Sequence, residues 1–200
     1  MNKSQAAADI LVHALPLVPF EGWTAQTLAK AAVAAGYKET DAIRVFPGGA
    51  IDAVESFIRA TDHAMLEALS GYHLENMKIR ERITTAIRLR LELLTPHREA
   101  VRRTVALLAM PLYAHRALKS LYDTVDAMWY AAGDISTDFN FYTKRLLLGG
   151  VYSATLLYWL DDKSAAQEKI WAFLARRIED VMKIEKAKGR IKGWFGRRAA

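Results

Sequence analysis

This chain is punctuated as a series of helices, and that punctuation leaves little room for another fold. Apolar residues recur every three or four positions over long stretches, as in Ile79, Ile83, Ile87, Leu91 and Leu94. No stretch shows the strict alternation and β-branched enrichment of strands. Breakers stand between the periodic stretches: Pro16, Pro19, Gly36, Pro47-Gly48-Gly49, Pro96 and Pro111. The expected fold class is all-α. The first helix starts at a Ser4 cap and ends near residue 15, and the second runs from Thr24 to a stop at Gly36. A short third helix covers about 40–46 and a long fourth about 50–70. A fifth begins at an Asn76 cap and stops at Pro96. The remaining helices are expected over 97–110, 112–132 and 137–160, with a last one from a Ser164 cap to about 184.

Two hundred residues, 52% of them hydrophobic, are enough for one domain with a full core. Three short helices within residues 1–48 form a helix-turn-helix-like head, 49–182 a helical body, and 183–200 a basic tail. The tail holds seven basic residues against Glu185 alone, a net +6 equal to that of the whole chain, so the rest is neutral. Cysteine is absent, which excludes disulfides, thiolate metal sites and cysteine nucleophiles. The N-terminal stretch has neither the Arg/Ser-rich character of a transit peptide nor the n-region of a secretory signal. No apolar run reaches the ~18 residues of a membrane span. A cytosolic, bacterial protein is expected.

Catalytic signatures are missing. His13, His63, His73, His97 and His115 form no metal-binding pattern, and no Glu has a His three residues later. There is no phosphate-binding loop and no Gly-x-Ser-x-Gly. The acid pairs Asp134/Asp138 and Asp161/Asp162 read as caps and turn residues. No enzyme, no cofactor and no metal are expected.

Residues 128–145, MWYAAGDISTDFNFYTKR, carry more than a turn requires. Gly133 supplies a helix stop and Ser136 or Thr137 a cap. Five aromatics, Trp129, Tyr130, Phe139, Phe141 and Tyr142, followed by Lys144-Arg145, are either core or an interaction hot spot. This run closely resembles the signature of the coenzyme Q biosynthesis protein 9 family, accessory proteins of ubiquinone synthesis with a TetR-repressor-like fold. The likeness continues weakly through Leu91, Leu94-Thr95-Pro96, Ala109-Met110-Pro111, Val151-Tyr152 and Ala154-Thr155.

That resemblance implies a lipid-binding protein that presents a polyprenyl quinone intermediate to the demethoxyubiquinone hydroxylase, peripheral to the inner membrane. It implies a hydroxylase contact through exposed Asp138, Phe141, Tyr142 and Arg145, with Met128 and Trp129 nearby; this chain has Phe139 and Phe141 where the family often has Trp. TetR-like bodies usually dimerise through their last two body helices, so a homodimer is expected. The alternatives are a TetR-type ligand-responsive regulator and a membrane-docking factor with no lipid in its core.

A lipid cavity would take its walls from Leu107, Leu108, Met110, Leu121, Val125, Met128, Leu148, Val151, Tyr152 and Leu156, with Leu112, Leu118, Leu147 and Trp159 as further candidates. Gly149-Gly150 in mid-helix costs roughly 2 kcal/mol against alanine and suggests a close approach by a helix or a ligand. The row Arg80, Arg82, Arg88 and Arg90 reads as a solvated helix face. Specific DNA binding is not expected. The third helix opens with Glu39 and Asp41, and Lys30, Lys38 and Arg44 leave only +1 over 24–46. The head is read as scaffold, with Leu28, Val33, Ile43, Val45 and Phe46 packing onto the fourth helix. In the tail, Ile191, Trp194 and Phe195 share a face with Val181 and Ile184, framed by Lys188, Arg190, Lys192, Arg197 and Arg198. This is an imperfect amphipathic pattern. With Gly189, Gly193 and Gly196 opposing a free helix, the tail is expected to be disordered or loosely docked in solution and to become helical at a lipid surface.

Overall fold

The computed structural model describes residues 2–134, 139–163 and 167–196. Its first helix, α1 (Lys3–Ala14), is opened by Asn2 rather than Ser4. The Asn2 Oδ1 accepts from the N–H groups of Ser4 and Gln5 at 3.0 and 3.4 Å. Asparagine caps as well as serine and comes first in the chain. Pro19 does not merely end α1. It lies in the first turn of a short helix, α2 (Val18–Glu21), where a missing N–H costs nothing. α3 (Ala25–Ala34) is capped by Thr24, whose hydroxyl accepts from Thr27 N–H at 3.0 Å. α4 (Glu39–Val45) begins where Asp41 accepts from Lys38 N–H at 3.1 Å.

The body comprises α5 (Ala50–Ser70), α6 (Ile79–Leu94), α7 (Arg98–Leu108), α8 (Ala114–Ala131), α9 (Phe139–Asp161) and α10 (Glu168–Gly196). The described residues form no strand. Asn76 lies in a single 3-10 turn, so it does not cap α6. That helix starts at Ile79, and the Glu81 carboxylate reaches back to Lys78 N–H at 2.9 Å. Ser164 lies outside the described residues.

α5 is the central element and packs on α1, α6, α7 and α8, while α9 packs on α8 and α10 lies across α6 and α9. Leu28, Val45 and Phe46 of the head are buried against the rest of the core. Val33 and Ile43 are 52% and 68% exposed, against expectation, because their helices are too short to bury two faces. α10 is held by Ile170 and Leu174, both buried, by Tyr158 stacked on Phe173 at 4.6 Å, and by Arg88 over Trp171 at 4.9 Å. Its backbone stays helical to Gly196, so the expectation that the tail is helical only at a lipid surface is corrected, and no break in the helix marks residue 183. The docked first half supplies the nucleus that an isolated tail would lack.

Arginines close the helix ends. Arg98 donates to the carbonyls of Trp159 and Asp162, and Arg102 Nη2 to that of Leu160 at 2.6 Å. These are among the last carbonyls of α9, which have no partner within the helix, and a cation there also complements the helix dipole. At the other end of the body, Arg116 grips Glu55 through Nε and Nη2 at 2.6 and 2.7 Å and Asp52 at 2.6 Å, tying α8 to α5. Asp52 also accepts from Gly48 N–H at 2.6 Å, and a Cβ at residue 48 would stand 2.5 Å from its carboxylate. A side chain at residue 48 would push the Asp52 carboxylate from this position, so glycine favours the contact at the start of α5.

Burial alone would raise the Asp52 pKa, but the Gly48 N–H and the Arg116 guanidinium outweigh it and hold it below its ordinary 3.8. A depressed carboxylate stabilises the fold above its unfolded value and loses that contribution as pH falls through the folded one. Asp52→Asn is expected to cost about 1 kcal/mol at pH 7. In urea titrations across pH, the gap to the parent should narrow below 3.8.

Candidate functional site

The floor of the site is one buried polar cluster. Arg90 of α6 is 4% exposed, so the reading of its arginine row as a solvated face is corrected at this position. Arg90 Nε donates to Asp62 Oδ1 at 2.7 Å and Nη1 donates to the Tyr152 hydroxyl. Thr124 donates to Asp62 Oδ2 at 2.9 Å. The cluster joins α5, α6, α8 and α9. Burial works against the charge on Arg90, yet the oxygens of Tyr152 and Asp62 outweigh it and shift its pKa up. Burial pushes the Tyr152 phenol up, so it stays neutral and accepts from Arg90. The other arginines of the row differ again. Arg82 donates to the carbonyls of Met77 and Ala132, both at 2.9 Å, while Arg80 is exposed.

A cavity of about 280 Å³ opens beside this cluster between α5, α6, α7, α8 and α9. Its walls are apolar over most of their area, with Phe57, Leu94, Val101, Val105 and Leu108 among them. Arg90, Tyr152, Thr124 and Ser120 supply polar groups. The space is therefore amphipathic, suited to a ligand with a hydrogen-bonding head and an apolar body.

Of the residues expected to line a lipid cavity, Leu108, Leu121, Tyr152 and Leu156 line this one. Leu148 and Val151 face a second cavity instead, on the side of α9 towards α6 and α10. Val125 and Met128 are buried in the core, and Leu107 packs against it. Met110 is 50% exposed, because it follows the end of α7 where Pro111 turns the chain outward. Leu112 and Leu118 are likewise exposed. Gly149 has Leu121 3.7 Å from where a Cβ would sit, an ordinary contact, and Gly150 faces open space. Neither glycine marks an unusually close approach within the chain.

The signature segment splits in two. Asp138 lies outside the described residues. Arg145 is 5% exposed, and the expectation that it is an exposed contact residue is corrected. Its Nε donates to Asp126 at 2.5 Å, and its Nη1 donates to Asp134 at 3.3 Å and to the Phe141 carbonyl at 3.2 Å. The guanidinium also lies 3.3 Å from the Phe141 ring centroid. Two carboxylates, a carbonyl and a ring face satisfy a buried arginine, so it anchors α9 to α8. Met128 is fully buried, Trp129 half-buried under Lys144, and Phe141 half-buried. Tyr142 remains 66% exposed, edge-on to Phe141 at 5.1 Å. The side chains of 188, 190–192, 194 and 195 are not described, and Arg197 and Arg198 lie outside the described residues.

Sequence reading missed Asp62, Thr124 and the role of Arg90. One signal was present. Arg90 sits three residues after Ile87 and seven after Ile83, on the apolar stripe of α6, whereas Arg82 and Arg88 lie off it; Arg80, three before Ile83, shares the stripe at the open end of the helix, so spacing alone does not tell the buried arginine from the exposed one. Among the described residues no helix is long and apolar enough to cross a membrane, and no cluster of His, Asp and Glu could hold a metal ion.

Short N-terminal helices packed on a body of longer ones, with an amphipathic cavity open to one side, define a TetR-like fold. The TetR transcriptional regulator from Nitrosomonas europaea ATCC 19718 has this fold, with a TM-score of 0.70 over 86% of this chain and 95% of that one, at 18% identity. At that identity the likeness concerns the fold alone. The family model of COQ9 matches residues 114–185. "Ubiquinone biosynthesis protein COQ9, mitochondrial" is 34% identical in Rattus norvegicus and 31% in Homo sapiens, in each case over 90% of this chain. These alignments cover 60% and 59% of the relatives, so the chain spans about three-fifths of their length. The Drosophila melanogaster protein of that name is 34% identical over 89% of this chain and 56% of its own. The chain belongs to the COQ9 family.

Removing one partner of a buried ion pair leaves a charge alone in the interior, at a cost of about 3–5 kcal/mol. Arg90→Leu is expected to lose that much in urea unfolding. The double variant Arg90→Leu/Asp62→Leu should recover a large part of it, which a merely overpacked core would not show.

Proposed function

We propose that this chain is a lipid-carrying accessory protein of ubiquinone biosynthesis that presents a polyprenyl quinone intermediate to the demethoxyubiquinone hydroxylase at a membrane surface. The observation that carries the reading is the division of the first cavity into apolar walls and the Arg90–Tyr152 end. A quinone ring bears carbonyl and ether oxygens that accept hydrogen bonds, and its prenyl tail is apolar. At about 280 Å³ the cavity is at the lower end of the roughly 300–1,000 Å³ of small-molecule sites. It suits a ring and the first part of a tail, with the rest leaving past Leu156 and Leu157. The pathway comes from the COQ9 relatives, which are ubiquinone biosynthesis proteins by name. The chain has no catalytic part in this reading. It shields a ligand whose transfer through water is costly.

The hydroxylase contact is proposed at Tyr142, with the half-buried Phe141 beside it. The homodimer is proposed along α8 and α9 rather than the last two body helices, because Leu118, Tyr122, Leu146 and Leu157 are exposed there and no large apolar side chain among the described residues of α10 is. The membrane contact is proposed for the end of α10, where the sequence brings Trp194 and Phe195 together with basic residues. The protein would then be cytoplasmic and peripheral to the inner membrane. The head is proposed as scaffold without specific DNA binding. Lys30 is tied to Glu21 at 2.9 Å, Arg44 lies 3.5 Å from Asp41, and Asp41 itself caps α4.

Mass spectrometry of organic extracts from the purified protein is expected to find an isoprenoid quinone or its precursor. A short-tailed demethoxyubiquinone at a hundredfold its Kd should stabilise the protein by about 2.7 kcal/mol. Squalene, which has no ring oxygens, should do less, and Leu156→Trp should abolish the effect. No lipid in the extract and no stabilisation by either compound would overturn the proposal. Tyr142→Lys is expected to abolish hydroxylase capture while leaving thermal unfolding unchanged, and unaltered capture would move the interface elsewhere. Truncation after Met182 should remove co-sedimentation with anionic liposomes, and equal sedimentation by both chains would refute the membrane contact.

A further inference from the structure

A second cavity, of about 600 Å³, lies between α6, α8, α9 and α10 and is distinct from the one that carries the proposed function. Ile83, Leu147, Leu148, Val151, Ile178 and Val181 give it an apolar floor. Three cationic side chains, Lys78, Arg80 and Lys144, complete the lining, and no acidic residue lines it among the described residues. Lys144 pairs with Asp134 at 2.7 Å. Lys78 makes no ion pair with a described residue, and Arg80 stands only within 4.0 Å of Glu81, with half its side chain in solvent. Trp129, in the same lining, has its Nε1–H buried with no hydrogen-bond partner among the described residues.

We infer that this cavity binds a single-chain anionic amphiphile, with the chain on the apolar floor and the carboxylate or phosphate head at the cations. Each feature answers one part of such a molecule. The floor excludes water from a chain, and the excess of positive charge draws an anionic head. The volume lies within the range of sites that hold a drug-sized molecule. Ile178 and Val181 come from α10, so an occupied cavity would fasten that helix to the body. This ligand differs from the quinone in charge and in location, so its test is separable from that of the first cavity.

The probe is oleate, titrated by calorimetry into the full chain below its micelle concentration, with oleyl alcohol and inorganic phosphate as controls. Saturable oleate binding is expected, at least tenfold tighter than that of oleyl alcohol, with none from phosphate. Lys78→Glu/Arg80→Glu changes only exposed side chains, so the fold survives, and it should weaken oleate by tenfold or more. Val151→Trp fills the cavity and should abolish binding, whereas Leu156→Trp in the first cavity should leave it intact. Equal binding of alcohol and oleate, or no effect of the charge reversal, would overturn the inference. Loss of binding in Leu156→Trp with retention in Val151→Trp would place oleate in the first cavity and overturn it equally.

Discussion

Arg90 and Asp62 form the ion pair around which the body is arranged. Taking two charges out of water costs several kcal/mol for each, and the pair is tolerable only where further hydrogen bonds answer the remaining atoms. Tyr152 and Thr124 provide them, from two other helices. Four helices must therefore meet in one register, because a shift of any of them by a turn would strand a charge in the interior. The first cavity exists beside this cluster, and its polar end is the cluster itself. Stability and ligand chemistry thus depend on the same atoms.

The other arginines follow a different economy. Arg98 and Arg102 serve the carbonyls at the end of α9, and Arg82 serves those of Met77 and Ala132. Helix termini carry backbone groups without internal partners, and a planar guanidinium reaches several at once. Arg145 performs the related task at the start of α9, through Asp126, Asp134 and the Phe141 carbonyl. The start of α9 is thereby tied to α8 beneath a surface that leaves Tyr142 outside. A contact residue gains from such support, since little side-chain and loop entropy is then lost on binding.

The two cavities have separate linings, with α9 forming part of both walls. Tyr152 faces one and its neighbour Val151 the other, as adjacent positions on a helix must point some 100° apart. A change on α9 thus acts on both spaces, and the helix also carries the exposed face proposed for association. Gly149 and Gly150 lie within this stretch, and the protomer shows no contact that demands either of them.

The order and approximate ends of most helices were legible in the chain because they rest on local chemistry; the short α2 and the continuation of α10 past residue 184 were not. Apolar spacing, proline, glycine and capping residues act within a few positions, and residues 50–70 were placed to the residue. The caps Asn2 and Glu81 were missed because neighbouring candidates, Ser4 and Asn76, were equally good on local grounds. The eighteen-residue signature, too, was visible directly. What only the tertiary structure decided is which charged and apolar side chains are inside. Arg90 finds Asp62 twenty-eight residues away and Tyr152 sixty-two away, and Arg145 finds Asp126 nineteen away. Seen along the chain, these arginines are the same as the exposed ones. Burial depends on partners brought together by packing, and a cavity is the volume that packing leaves, so neither is a property of any local stretch of sequence.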